Sequence, residues 1–129
     1  MNKFLIIILF GLLILSLPKE SYTQDRWVYI DSDETVTIYY DTKTVTRNSD
    51  NVEVWIEWYY EKKKKSGSKY IDYTLNKIRL DCLNRTLKYL KFVVYYTDDT
   101  SYSSDLDNEP PEEPIPGTFG EVIWEYFCE

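Results

Sequence analysis

This sequence predicts an α+β fold: a six-stranded antiparallel meander sheet with one C-terminal helix on its apolar face, the two layers tied by a disulfide. Three observations carry that reading. From Trp27 onward, runs of β-branched and aromatic residues alternate with short breaks rich in Asn, Asp, Ser and Gly. The last residues change to a helical apolar period. The chain has two cysteines, Cys82 and Cys128, and no histidine. In a chain that is exported, and so matures where thiols oxidise, such a pair reads as one structural disulfide rather than a metal or catalytic site.

Export is read from the start of the chain. Lys3 precedes an apolar run from Phe4 to Leu17, broken only by Gly11 and Ser16 and followed by Pro18-Lys19-Glu20. The run is shorter than the roughly 20 residues of a membrane-spanning helix, so residues 1–23 are expected to be a cleaved signal peptide, with the small residues of Ser21-Tyr22-Thr23, Ser21 and Thr23, before the bond. No cysteine lies near that bond to be acylated, and no stable membrane anchor is expected after cleavage. The product is expected in the periplasm, the medium or at the cell surface. The remaining residues, 24–129, form one small domain. The first 23 residues carry two lysines and one glutamate, which leaves that domain one unit more acidic than the −7 of the whole chain. Phosphate backbones repel such a surface, which argues against a nucleic-acid partner.

Strands are expected near Trp27–Ile30, Thr35–Asp41, Val52–Tyr60, Tyr70–Cys82, Thr86–Thr97 and Thr100–Ser104. In the third, Val52, Val54, Ile56 and Trp58 share the core face, while Glu53, Trp55, Glu57 and Tyr59 share the other. In the fourth, the apolar positions change from odd (Ile71, Tyr73, Leu75) to even (Ile78, Leu80, Cys82). That change fits either a bulge at Asn76-Lys77 or a strand buried on both faces. Asn84-Arg85-Thr86 matches a glycosylation sequon and equally a hairpin turn, and the turn is the reading taken.

Beyond the last strand, residues 105–114 form an acidic, proline-rich connector expected neither to pair in a sheet nor to start a long helix. Thr118-Phe119-Gly120-Glu121 then has capping-box spacing, with Thr118 as N-cap and Glu121 reaching back. In the helix that follows, Phe119, Val122, Ile123, Tyr126 and Phe127 make the apolar stripe, with Cys128 at its margin beside Trp124.

These residues together resemble the surface-adhesin protein E family, small exported domains of Gram-negative bacteria. The resemblance rests on Trp27, Tyr39-Tyr40-Asp41, Val54-Trp55, Cys82 with Asn84-Arg85, Pro114-Ile115-Pro116-Gly117-Thr118, Glu121 and Cys128, in that order over essentially the whole of residues 24–129. It implies a six-stranded sheet with a disulfide-held helix, and a surface role in binding host extracellular-matrix proteins. The best-known adhesins of this type are lipid-anchored, whereas this chain offers no cysteine for acylation.

Chemistry is sparse. No histidine, free thiol, glycine-rich phosphate loop or Gly-x-Ser-x-Gly elbow occurs, and Glu53 and Glu57 stand about 13 Å apart on one strand face, too far for paired glycosidase carboxylates. Asp105-x-Asp107-x-Glu109 matches the opening of a calcium loop, but Pro110 and Pro116 stand where glycine and glutamate are needed. No enzyme, no cofactor and no metal site is therefore expected. The tract Lys62-Lys63-Lys64-Lys65 reads either as a solvated hairpin tip or as an electrostatic grip for an acidic ligand or sulfated glycan. With Trp55 and Tyr59 on the outer face, these four lysines are the candidate contacts for an extracellular protein or glycan. Two functions follow: an adhesin-like, non-catalytic binding module of the bacterial envelope, or a secreted or periplasmic inhibitor whose acidic surface neutralises a cationic enzyme such as lysozyme.

Overall fold

Three of the hairpin turns described in this chain are closed by aspartate side chains. The computed structural model describes residues 25–129, so the expected signal peptide lies outside the described residues. The strands are β1 Trp27–Ser32, β2 Val36–Asp41, β3 Thr46–Asn48, β4 Asn51–Ser66, β5 Lys69–Asp81, β6 Thr86–Tyr96 and β7 Ser101–Asp105, followed by the helix α1 Phe119–Cys128. At the β1–β2 turn, the Asp33 carboxylate accepts the backbone N–H groups of Thr35 (2.7 Å) and Val36 (2.8 Å). Asp81 does the same at β5–β6 for Leu83 and Asn84, and Asp98 at β6–β7 for Thr100. The expected turn at Asn84-Arg85 is therefore present, with Arg85 in the left-handed region at φ 51°.

All pairings are antiparallel, in the order β1-β2-β4-β5-β6-β7. The sheet adds one strand to the six expected. Short β3 pairs with the first residues of β4, beside the stretch that pairs with β2. The alternation in β4 holds: Val52, Val54 and Ile56 are buried on the face that carries the helix, with Trp58 half-buried beside them.

The expected bulge at Asn76-Lys77 is not in β5, which pairs with β4 without a break from Tyr73 to Asp81. It lies opposite, in β6, where Lys77 pairs with Lys91 but Ile78 pairs with Tyr89, leaving Leu90 as the extra residue. Leu90 is buried and its carbonyl accepts from Leu106 N–H. The parity change in β5 has a different cause. Tyr73 and Leu75 lie on the outer face, in register with Tyr59 and Glu57 of β4, while Ile78 and Leu80 face the helix. That is the two-faced alternative.

The core joins Val36, Ile38, Val52, Val54, Ile56, Ile78, Leu80 and Leu87 of the sheet to Ile123, Trp124 and Phe127 of α1. Each such side chain contributes about 1.5–3 kcal/mol through burial. The helix is turned from the expected stripe: Trp124 is buried, and Tyr126 is 47 % exposed. The cause is at the end of β5. Trp124 Nε1 donates to the Asp81 carbonyl at 3.3 Å, the Arg85 guanidinium lies 4.4 Å from the Trp124 ring, and Cys128 is bonded to Cys82 with Cα atoms 5.3 Å apart.

Two further expectations are corrected. Thr118 is the N-cap, but no capping box forms, because its hydroxyl donates to the Ile115 carbonyl at 2.6 Å. The acidic connector does pair: Glu112 exchanges backbone hydrogen bonds of 2.8 and 2.9 Å with Leu87. Only residue 112 needs to pair for this, so the flanking prolines cost no ladder bond.

Candidate functional site

The lysine tract is strand, not turn. β4 runs to Ser66, and the hairpin closes at Gly67, whose φ of 62° suits a residue without Cβ. Five residue steps of β4, from Tyr59 to Lys64, face only two of β5, from Tyr73 to Ile71, so the strand swells where the lysines begin.

That swelling distributes the four lysines differently. Lys62 and Lys64 join Trp58 and Tyr60 along a groove of about 540 Å³, also lined by Asp33, Thr35, Val36 and Phe119. Lys63 instead binds the Asp72 carboxylate and sits 4.3 Å from the Tyr59 ring centroid. Lys65 pairs in the ladder with Tyr70, and its side chain is exposed.

The groove is built by three elements. β4 supplies Trp58 and Tyr60 on the helix face, the β1–β2 turn and the start of β2 supply Asp33 and Val36, and the first residue of α1 supplies Phe119, whose ring meets Trp58 edge-on at 5.5 Å. A second hollow of about 380 Å³ adjoins it across Trp58 and Phe119, lined further by Gly117, Thr118 and Val122. Trp58 Nε1 is shielded from solvent and has no hydrogen-bond partner among the described residues. Burial raises the Tyr60 hydroxyl above its ordinary pKa, so this wall stays uncharged at neutral pH. Asp33 is held below the usual carboxylate range by the Thr35 and Val36 N–H groups, so the rim carries one fixed negative charge beside two ammonium groups.

The other two candidate contacts lie across the sheet. Trp55 and Tyr59 are on the outer face as expected but half-buried rather than exposed. Trp55 stands opposite Lys77. Tyr59 lines a separate hollow of about 270 Å³ with Trp27, Tyr39 and Glu57. The candidate residues thus do not form one site. Sequence reasoning missed Val36, Phe119 and Asp33, which reach the groove only through the fold. It could have found Tyr60, which shares the parity of Trp58.

Comparison with known proteins gives one finding. The family model described as surface-adhesin protein E matches residues 27–129. No curated protein and no solved structure matches the chain.

Proposed function

The chain belongs to the surface-adhesin protein E family, and from that premise we propose that it is a non-catalytic binding protein that captures an extracellular macromolecule in the groove between Trp58, Tyr60 and Phe119. The observation that carries this is the pairing of an apolar floor with the exposed amines of Lys62 and Lys64 in one hollow of about 540 Å³. Such a surface suits a segment presenting an apolar side chain beside a carboxylate or sulfate. The aromatic wall contributes desolvated contact area, and the amines contribute attraction and orientation.

The family's adhesin description supports an extracellular partner, and extracellular-matrix proteins are the class we propose. Three of the four lysines are free to act: Lys63 is occupied by Asp72, whereas Lys62, Lys64 and Lys65 have no ion pair among the described residues, and of these Lys62 and Lys64 line the groove. Binding of the purified chain to immobilised matrix proteins, compared with a Lys62→Ser, Lys64→Ser double variant, tests it.

A further inference from the structure

Carboxylates and aromatic rings recur together on the outer side of this sheet. Asp41, 2 % exposed, holds the Arg26 guanidinium by two hydrogen bonds of 3.0 and 2.7 Å, and Arg26 lies 5.9 Å from the Trp27 ring centroid. Asp72 holds the Lys63 ammonium, which lies over Tyr59. In both units a cation sits between a carboxylate and a ring.

Glu57 is the third carboxylate. It stands directly opposite Tyr39 in the β2–β4 ladder and opposite Leu75 in the β4–β5 ladder, two residues before Tyr59 on the same strand. With Trp27, Tyr39 and Tyr59 it lines the hollow of about 270 Å³. Glu57 makes no ion pair and no side-chain hydrogen bond among the described residues. Two of its rings are shared with the neighbouring units, Trp27 with Arg26 and Tyr59 with Lys63, but its carboxylate has no cation.

We propose that the Trp27, Tyr39, Glu57 and Tyr59 cradle binds an organic cation, an alkylammonium or guanidinium group whose charge meets Glu57 and whose methylenes or methyls meet the rings. A single carboxylate among rings gives too few oxygens for calcium, which takes 6–8. An anion is disfavoured by Glu57, since Asp72 nearby is already paired with Lys63. Rings of this kind favour large, weakly hydrated cations, which lose little on leaving water. Burial already pushes the Glu57 carboxyl above its ordinary pKa, with the charge of Asp72 adding to it, so an incoming cation relieves an existing cost. The cradle lies on the opposite side of the sheet from the groove, so this site stands whether or not the groove captures a macromolecule.

The cation can come from a free quaternary ammonium solute or from a lysine or arginine of a basic partner. Titration of the purified, disulfide-bonded chain, followed by NMR at the Trp27 indole, separates these with tetramethylammonium, Nα-acetyl-lysine methylamide and Nα-acetyl-arginine methylamide. Saturable shifts with a dissociation constant on the order of 1–10 mM are expected for at least one of them. The tightest probe identifies the source. The neutral isostere 3,3-dimethylbutanol should bind at least about tenfold more weakly, as should the tightest cation to Glu57→Gln, a variant of the same shape, and to Tyr39→Leu. Equal binding of the neutral probe, unchanged affinity in Glu57→Gln, or no saturable shift with any cation overturns the proposal.

Discussion

The Arg47 guanidinium donates two hydrogen bonds of 3.1 Å to the backbone carbonyl of Phe127, 80 residues later in the chain. This contact gives the short strand β3 its role. The last turn of α1 contains no basic residue of its own, so the sheet supplies the positive charge that the carboxyl end of a helix favours. Arg47→Ala should therefore destabilise the fold by about 1–2 kcal/mol in urea melts, with partial recovery in Arg47→Lys. No loss would show that the helix end is held by the disulfide alone.

Phe127 packs against Tyr40 with centroids 5.2 Å apart and is 7 % exposed. Phe127→Ala should cost about 3–5 kcal/mol, while Glu125→Ala should cost little. Equal small effects would show that α1 is not docked through this ring.

The disulfide closes a separation of 46 residues between Cys82 and Cys128. In the chain-entropy picture, the Cys82→Ser, Cys128→Ser variant should lose about 4 kcal/mol. Mass spectrometry without reduction should show no free thiol in the wild-type protein.

Two carboxylates should give opposite pH dependences. Hydrogen bonding to Arg26 is the main cause that holds Asp41 below the usual range, against an opposing effect of burial, with the Lys43 N–H adding to the lowering. Its contribution is complete above the unfolded carboxylate pKa and is lost as pH falls through the lowered folded value, so Asp41→Asn should lose stability at neutral pH and show a flatter acid limb. Glu57 is shifted upward, so the folded chain holds its proton more tightly than the unfolded chain. Ionising it costs stability as pH rises through the carboxylate range, and Glu57→Gln should gain on the wild type over that window and level off above it. Thermal melts across pH with both variants check the two signs.

Much of this architecture is legible in the sequence because period-two burial is a local signal. Val52, Val54 and Ile56 announce the core face of β4 by alternation alone, and the two cysteines announce the contact between sheet and helix. Strand β3 is not legible. Thr46, Arg47 and Asn48 are polar and exposed, and their pairing depends on a hairpin at Ser49, whose φ is 56°. The parity change in β5 left a bulge and a two-faced strand open for a similar reason: Tyr73 and Leu75 are apolar yet belong to the outer face, and only the register with Tyr59 and Glu57 reveals it. Capping-box spacing at Thr118 was a false lead, since the preceding turn offered the hydroxyl a nearer acceptor in Ile115.

The candidate site was half legible. Lys62 and Lys64 lie with Trp58 while Lys63 lies over Tyr59, so one lysine tract serves two hollows, a division that the swelling of β4 keeps out of reach of simple alternation. The partners that complete each hollow, Phe119 on one side and Trp27 with Tyr39 on the other, arrive from distant segments through helix docking and strand register.

The most direct measurement is the binding of the purified chain to immobilised extracellular-matrix proteins as a function of salt, for the wild type and for the Lys62→Ser, Lys64→Ser and Lys65→Ser variants. Capture through the groove predicts that the first two changes together weaken binding about tenfold and flatten its salt dependence, because two ion contacts no longer remain to be screened, while Lys65→Ser changes little. Equal binding by all variants, or equal losses at Lys65, would contradict it.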